Sequence, residues 1–258
     1  MSNSNGSTTD EKEVVTYQIH NPKKRFKDYF FDFFMLFLAV TLGFFVNSLN
    51  ENLSDRQQEK QYMASLVTDL KIDTAEMQSI HSSIAGQIAA IDSLMHTLEN
   101  KYQTNFINNL YYYSFKYLNS AVFHTCSDRT ISQLKSAGGL RLIQKKGESD
   151  RIVRYYSSSD NVDYNTEYCL KEYNKLLDSE KEIFDFGVLR RHKIDSLRYL
   201  TDLKLLIDDP LRLNHFYNQI LMYTSALINY NLLLTDLKKE AESLINFTCE
   251  SYKIDNPQ

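Results

Sequence analysis

Six histidines and three cysteines are the residues of this 258-residue sequence best suited to chemistry. The histidines are His20, His81, His96, His124, His192 and His215. A di-metal helical bundle uses Glu-x-x-His on each of two helices, with further glutamates on two others. That pattern does not occur here. His96 and Glu99 are three apart, as are His192 and Asp195, so each pair shares a helix face without a third donor. His124 and Cys126 stand two apart in a break between helical stretches and lack a third ligand in the surrounding sequence. The cysteines, Cys126, Cys169 and Cys249, form no C-x-x-C and no even framework. A single Cys126–Cys249 bridge is the alternative in an oxidising compartment. No nucleophile elbow, phosphate loop, H-E-x-x-H or dinucleotide fingerprint is found. The expectation is a chain that is not an enzyme, with no catalytic residues, no cofactor and no metal.

Other polar features read as structure. Gly138-Gly139 lacks a following Lys-Ser/Thr and suits a left-handed helix end. Asp208 and Asp209 precede a helix, where negative charge suits the dipole. Tyr111, Tyr112, Tyr113 and Tyr117 read as core packing with hydroxyls at the rim, ahead of a ligand groove. A formal net charge of −4 leaves no basic footprint for nucleic acid.

The strongest signal is the apolar run Tyr29–Leu49, with Asp32 its only charge. About 20 such residues cross the hydrocarbon of a bilayer. Lys23, Lys24, Arg25 and Lys27 precede the run, whereas Glu51 and Asp55 follow it. The positive-inside rule then places the N-terminus in the cytoplasm and the rest of the chain outside. Val46-Asn47-Ser48 is a poor cleavage site, which argues against a signal peptide. Ala39, Gly43 and Asn47 are spaced four apart on nearly one helix face. Small residues let backbones approach in lipid, so this face is the candidate for self-association.

With only 7 Gly and 3 Pro, the chain has few places to turn, and long helices are expected. Residues 1–25 read as a disordered cytoplasmic tail too short for an output domain, 26–49 as the membrane helix, and 50–258 as an extramembrane bundle. Apolar positions from Met63 through Leu66, Leu70, Met77, Ile84 and Ile91 to Leu98 recur in steps of three and four, with Gly86 a candidate bend. A short aromatic helix is expected near Asn109–Phe123. Thr130-x-x-Gln133 resembles a capping box. A third helix, Glu148–Phe184, takes its stripe from Ile152, Val153, Tyr156, Tyr164, Tyr168, Leu176, Leu177 and Ile183, and Gly187 ends it. Residues 188–208 are ambiguous. Asp209-Pro210 starts the last helix. The fold class is all-α, one transmembrane helix followed by an elongated antiparallel bundle.

Two stretches carry a family resemblance. One is the exit from the span, with Glu59, Tyr62, Leu66, Asp69-Leu70 and Asp73. The other holds Leu134-Lys135-Ser136, Gly138-Gly139, Leu142-Ile143 and Tyr155-Tyr156. Together they resemble an uncharacterised family of single-span, N-terminally anchored helical membrane proteins of Gram-negative bacteria. The resemblance implies an inner-membrane protein with a periplasmic domain, and brings no catalytic residues with it. The functional expectation is an interaction module that binds an unidentified envelope protein or itself as a homodimer. The alternative is a ligand-sensing helical domain that signals through a partner.

Overall fold

A computed structural model describes residues 26–118, 121, 123–136 and 138–255. The expected tail, 1–25, and the closing Asn256-Pro257 lie outside the described residues. All regular structure among the described residues is helical. The helices are α1 (Phe26–Glu99), α2 (Phe106–Tyr117), α3 (Arg129–Ser136), α4 (Glu148–Ile183), α5 (Gly187–Arg191) and α6 (Pro210–Tyr252), with 3₁₀ turns at Gly139–Arg141 and Ile194–Tyr199. The chain divides into two compact units, Met1–Ser54 and Asp55–Gln258.

In the first unit, α1 supplies one stretch long and apolar enough to cross a membrane. Its large side chains are exposed, including Phe30, Phe31, Phe33, Phe37, Phe44 and Phe45. A helix packed in a protein core would hide such side chains. Burying an aromatic or aliphatic side chain is worth about 1.5–3 kcal/mol each. A row of them facing water would be strongly unfavourable, whereas hydrocarbon removes the penalty. Phe30 stacks on Phe34 and Phe33 on Phe37, with centroids 6.4 and 6.5 Å apart, as i,i+4 spacing brings them over one another.

The second unit is an up-down-up-down bundle whose second limb is broken. Hydrogen bonds set the directions. Glu59, Gln78, His81 and Glu99 on α1 meet Tyr252, Lys238, Asn231 and Tyr217 on α6, so the two helices are antiparallel. Asn165 meets Asn229 and Glu182 meets Arg212, so α4 also opposes α6. Hence α1 and α4 run in the same direction. The return between them is made by α2, α3, the turn at Gly139 and the irregular backbone that joins them. At about 1.5 Å per residue, α4 and α6 are roughly 54 and 65 Å long.

The α1 stripe fills the core as expected: Met63, Leu66, Leu70, Met77, Ile84, Ile91 and Leu98 are buried. Gly86 sits within unbroken helix. Asp209 caps α6, accepting from the Arg212 amide, with Pro210 in the first turn. Several sequence expectations are corrected. Val153, Tyr164 and Tyr168 face solvent. The buried face of α4 instead runs through Ile152, Tyr155, Ser159, Val162, Cys169, Glu172, Leu176 and Glu180, whose polar members broke the apolar pattern. Thr130 lies inside α3, its hydroxyl committed to Asp69, so it is no N-cap. Gly187 begins α5 and does not end α4, which closes at Ile183. Residues 188–208 resolve into α5, the 3₁₀ turn Ile194–Tyr199 and extended backbone.

Candidate functional site

Ala39, Gly43 and Asn47 are all exposed on α1, within its membrane-length stretch. Beyond the neighbouring backbone of its own helix, no heavy atom of the described residues comes within 4 Å of a Cβ built on Gly43. The Asn47 amide donates to Glu51 Oε1 at 2.9 Å, so a cross-helix bond from Asn47 must replace a bond within its own helix.

The richest side-chain chemistry lies in the second unit. Three acids of α1, Glu59, Asp69 and Asp73, are buried and point at the broken limb. Glu59 accepts from the Gln144 amide and from Tyr252, both at 2.6 Å. Asp69 accepts from the Arg129 guanidinium and the Thr130 hydroxyl. Asp73 accepts from the Ser127 amide, at 3.2 and 3.3 Å to its two oxygens, and from Tyr155 Oη at 3.2 Å. A limb with interrupted helices leaves backbone groups unpaired. The α1 carboxylates satisfy some of them from the side. The two stretches that carry the family resemblance are therefore packed on each other, Tyr62 against Gly139 included.

At Asp73 the network gathers further donors. One side-chain donor atom each from Asp73, His124 and Cys126 lies within 4.8 Å of the other two. The sequence showed His124 and Cys126 without a third such side chain nearby; the bundle brings Asp73 of α1 beside them. Glu76, one turn beyond Asp73, places Oε2 3.1 Å from His124 Nδ1. The imidazole is buried, and Nε2 has no hydrogen-bond partner among the described residues. Cys126 Sγ lies 3.1 Å from Tyr155 Oη. The His124 amide donates to Tyr230 Oη at 2.8 Å. Burial raises the Asp73 carboxyl above the ordinary carboxylate range, against the Ser127 amide and His124, which favour its charged form. Burial likewise pushes the Cys126 thiol up to about 11. The thiol is therefore no ready nucleophile as it stands. The signal that could have found this cluster was the Asp73-x-x-Glu76 pair on the α1 stripe.

The remaining expected features are structural. Tyr111 is fully buried; its hydroxyl donates to the Lys204 carbonyl and accepts from the Asp185 amide, both at 2.9 Å. Arg198 stacks 3.7 Å from the Tyr112 ring centroid. His96 meets Asn100, and Asp195 pairs with Lys116, so neither His–acid pair forms. The three cysteines are free thiols, not a Cys126–Cys249 bridge. An open cleft of about 420 Å³ is bounded by Val188, Arg191, His192 and the stretch Leu200–Leu206. Comparison with protein-family models, curated proteins and solved structures finds no match to this chain.

Proposed function

We propose that this protein is a membrane-anchored, non-enzymatic interaction module of a Gram-negative envelope. Its N-terminus lies in the cytoplasm, α1 spans the inner membrane, and the helical bundle binds a second envelope protein from the periplasmic side. The basic cluster before the span and the acids after it support that orientation.

The observation that carries the binding role is on α6. Leu221, Ile228 and Leu232 are exposed. Spaced seven and four apart, they lie within about 40° of one another on one side of the helix. The other side, through Phe216, Ile220, Leu227 and Leu234, fills the core. An apolar ridge held on a rigid, capped helix is what one helix offers another in groove or coiled-coil recognition.

A photocrosslinking side chain placed at Ile228 in the full-length protein in intact cells tests this. The expected result is a discrete crosslinked product containing a second envelope protein, absent when the same group is placed at exposed Glu250 on α6. A product containing only a second copy of this chain would make the module a homodimer. Identical patterns from the two positions would remove the binding surface.

A further inference from the structure

We propose that Asp73, His124 and Cys126 form a binding site for a borderline-soft divalent cation of the zinc class. The argument begins with donor type. Imidazole nitrogen, thiolate sulphur and carboxylate oxygen are the three ligand classes that zinc accepts, at about 2.0–2.3 Å. Mixed N, S and O donors suit zinc or cobalt better than magnesium or calcium, which favour all-oxygen shells.

Geometry comes next. Two ligands on one tetrahedral ion with such bonds stand roughly 3.3–3.8 Å apart. The three donor atoms here already lie within 4.8 Å of one another. Side-chain closure of about an ångström brings these three into range, and a water would take the fourth position of the tetrahedron. Two of the three ligands come from the irregular stretch between α2 and α3, and the third from a regular helix.

The surroundings are those of a supported site. Ligating histidines commonly set a carboxylate against the imidazole, and Glu76 stands 3.1 Å from Nδ1. Tyr155 reaches both Asp73 and Cys126, and the Ser127 amide holds the Asp73 carboxylate. The second, independent indication is His124 Nε2, buried and without a hydrogen-bond partner among the described residues. A buried polar atom left unpaired is unfavourable. Coordination or reorientation of the ring about the ion gives the imidazole its full complement.

Charge closes the argument. As the metal–sulphur bond forms, the Cys126 thiol releases its proton to solvent. A thiolate, a carboxylate and a neutral imidazole around a doubly charged cation sum to zero, which suits a buried position. The ion would staple the broken limb to α1 at the level where Tyr155 of α4 and Tyr230 of α6 also converge, a structural role with no turnover implied.

The test uses full-length protein in detergent, freed of affinity tag and treated with chelator, then titrated with Co²⁺ and Zn²⁺. One equivalent of Co²⁺ should give visible d–d bands and a near-ultraviolet thiolate-to-cobalt charge-transfer band. Cys126→Ser should abolish the charge-transfer band, and Cys249→Ser should leave it. Asp73→Asn should weaken binding, and Glu76→Gln should cost about 10–100-fold in affinity. In the unmodified protein, Zn²⁺ should slow alkylation of Cys126, mapped by mass spectrometry. That readout needs no variant to fold. A charge-transfer band absent from the wild type, or an alkylation rate at Cys126 indifferent to Zn²⁺, would overturn the proposal.

Discussion

Tyr252 Oη donates to Glu59 Oε1 at 2.6 Å, tying the last turn of α6 to α1 across 193 residues of sequence. Both side chains are buried, and the same carboxylate oxygen receives the Gln144 amide. One atom thus joins α1, α6 and the end of the broken limb. Tyr252→Phe keeps the ring and deletes the bond. The expected cost is about 1–2 kcal/mol of unfolding free energy, read by denaturant titration of the detergent-solubilised protein. Substituting exposed Tyr199 by Phe should change stability by less than about 0.5 kcal/mol.

Glu180 gives a pH dependence of definite sign. It is buried on α4, neither carboxyl oxygen has a hydrogen-bond partner among the described residues, and burial pushes its pKa up to about 8. In the unfolded chain it titrates near 4.5. Between those values the folded state holds a proton that the unfolded state has released. This residue therefore lowers stability progressively as pH rises from about 4.5 to 8, and the loss is complete above that. The effect is on the order of a few kcal/mol. Glu180→Gln should flatten this part of the stability–pH profile and stabilise the protein at pH 9. An unchanged slope would show that Glu180 ionises normally in the fold.

Topology is testable at Lys101, which lies exposed in the turn after α1. Lys101→Cys, in a background whose native cysteines are replaced by Ser, should react with an impermeant thiol reagent when only the outer membrane is permeabilised. Labelling that appears only after inner-membrane lysis would reverse the proposed orientation.

Self-association through the span is tested at Gly43. Beyond its own helix backbone, a Cβ there meets nothing within 4 Å among the described residues, so a larger side chain has room on α1. If Ala39, Gly43 and Asn47 form a contact face, Gly43→Ile should weaken association by about 1–2 kcal/mol in a membrane two-hybrid assay. Leu42→Ile, one residue away and on another face, should not. Asn47→Ala should have a smaller effect than Gly43→Ile, since Asn47 already has Glu51 as a partner. Equal signals from the Gly43 and Leu42 variants would dismiss this face.

Much of the helical framework was legible because it is written in local periodicity. The α1 stripe from Met63 to Leu98 is the pattern of one helix face, and it met the core as read. Asp209-Pro210 was legible because a cap needs only its own next turn. The reading of α4 failed where the buried face is polar. Ser159, Glu172 and Glu180 are in phase with the core but carry no apolar signal, whereas Tyr164 and Tyr168 carry the signal out of phase. Thr130 was misread because its partner, Asp69, lies 61 residues away.

What the sequence determined by itself is therefore the set of things decided within a few turns of chain: an apolar stretch of membrane length, its charged flanks, and long amphipathic helices with few breaks. What the tertiary structure decided is which distant polar groups meet. His124 and Glu76 are 48 residues apart, and Cys126 and Tyr155 are 29 apart. No periodic pattern links either pair. They meet because the limb between α1 and α4 is not a continuous helix, so its backbone turns inward and needs partners. The buried carboxylates of α1 accept several of its hydrogen bonds, and Tyr230 of α6 accepts another. An isolated helix would keep those acids in water. Only packing the four limbs together withdraws them from it, and that withdrawal shifts the Asp73 carboxyl and the Cys126 thiol and assembles their donors into one cluster.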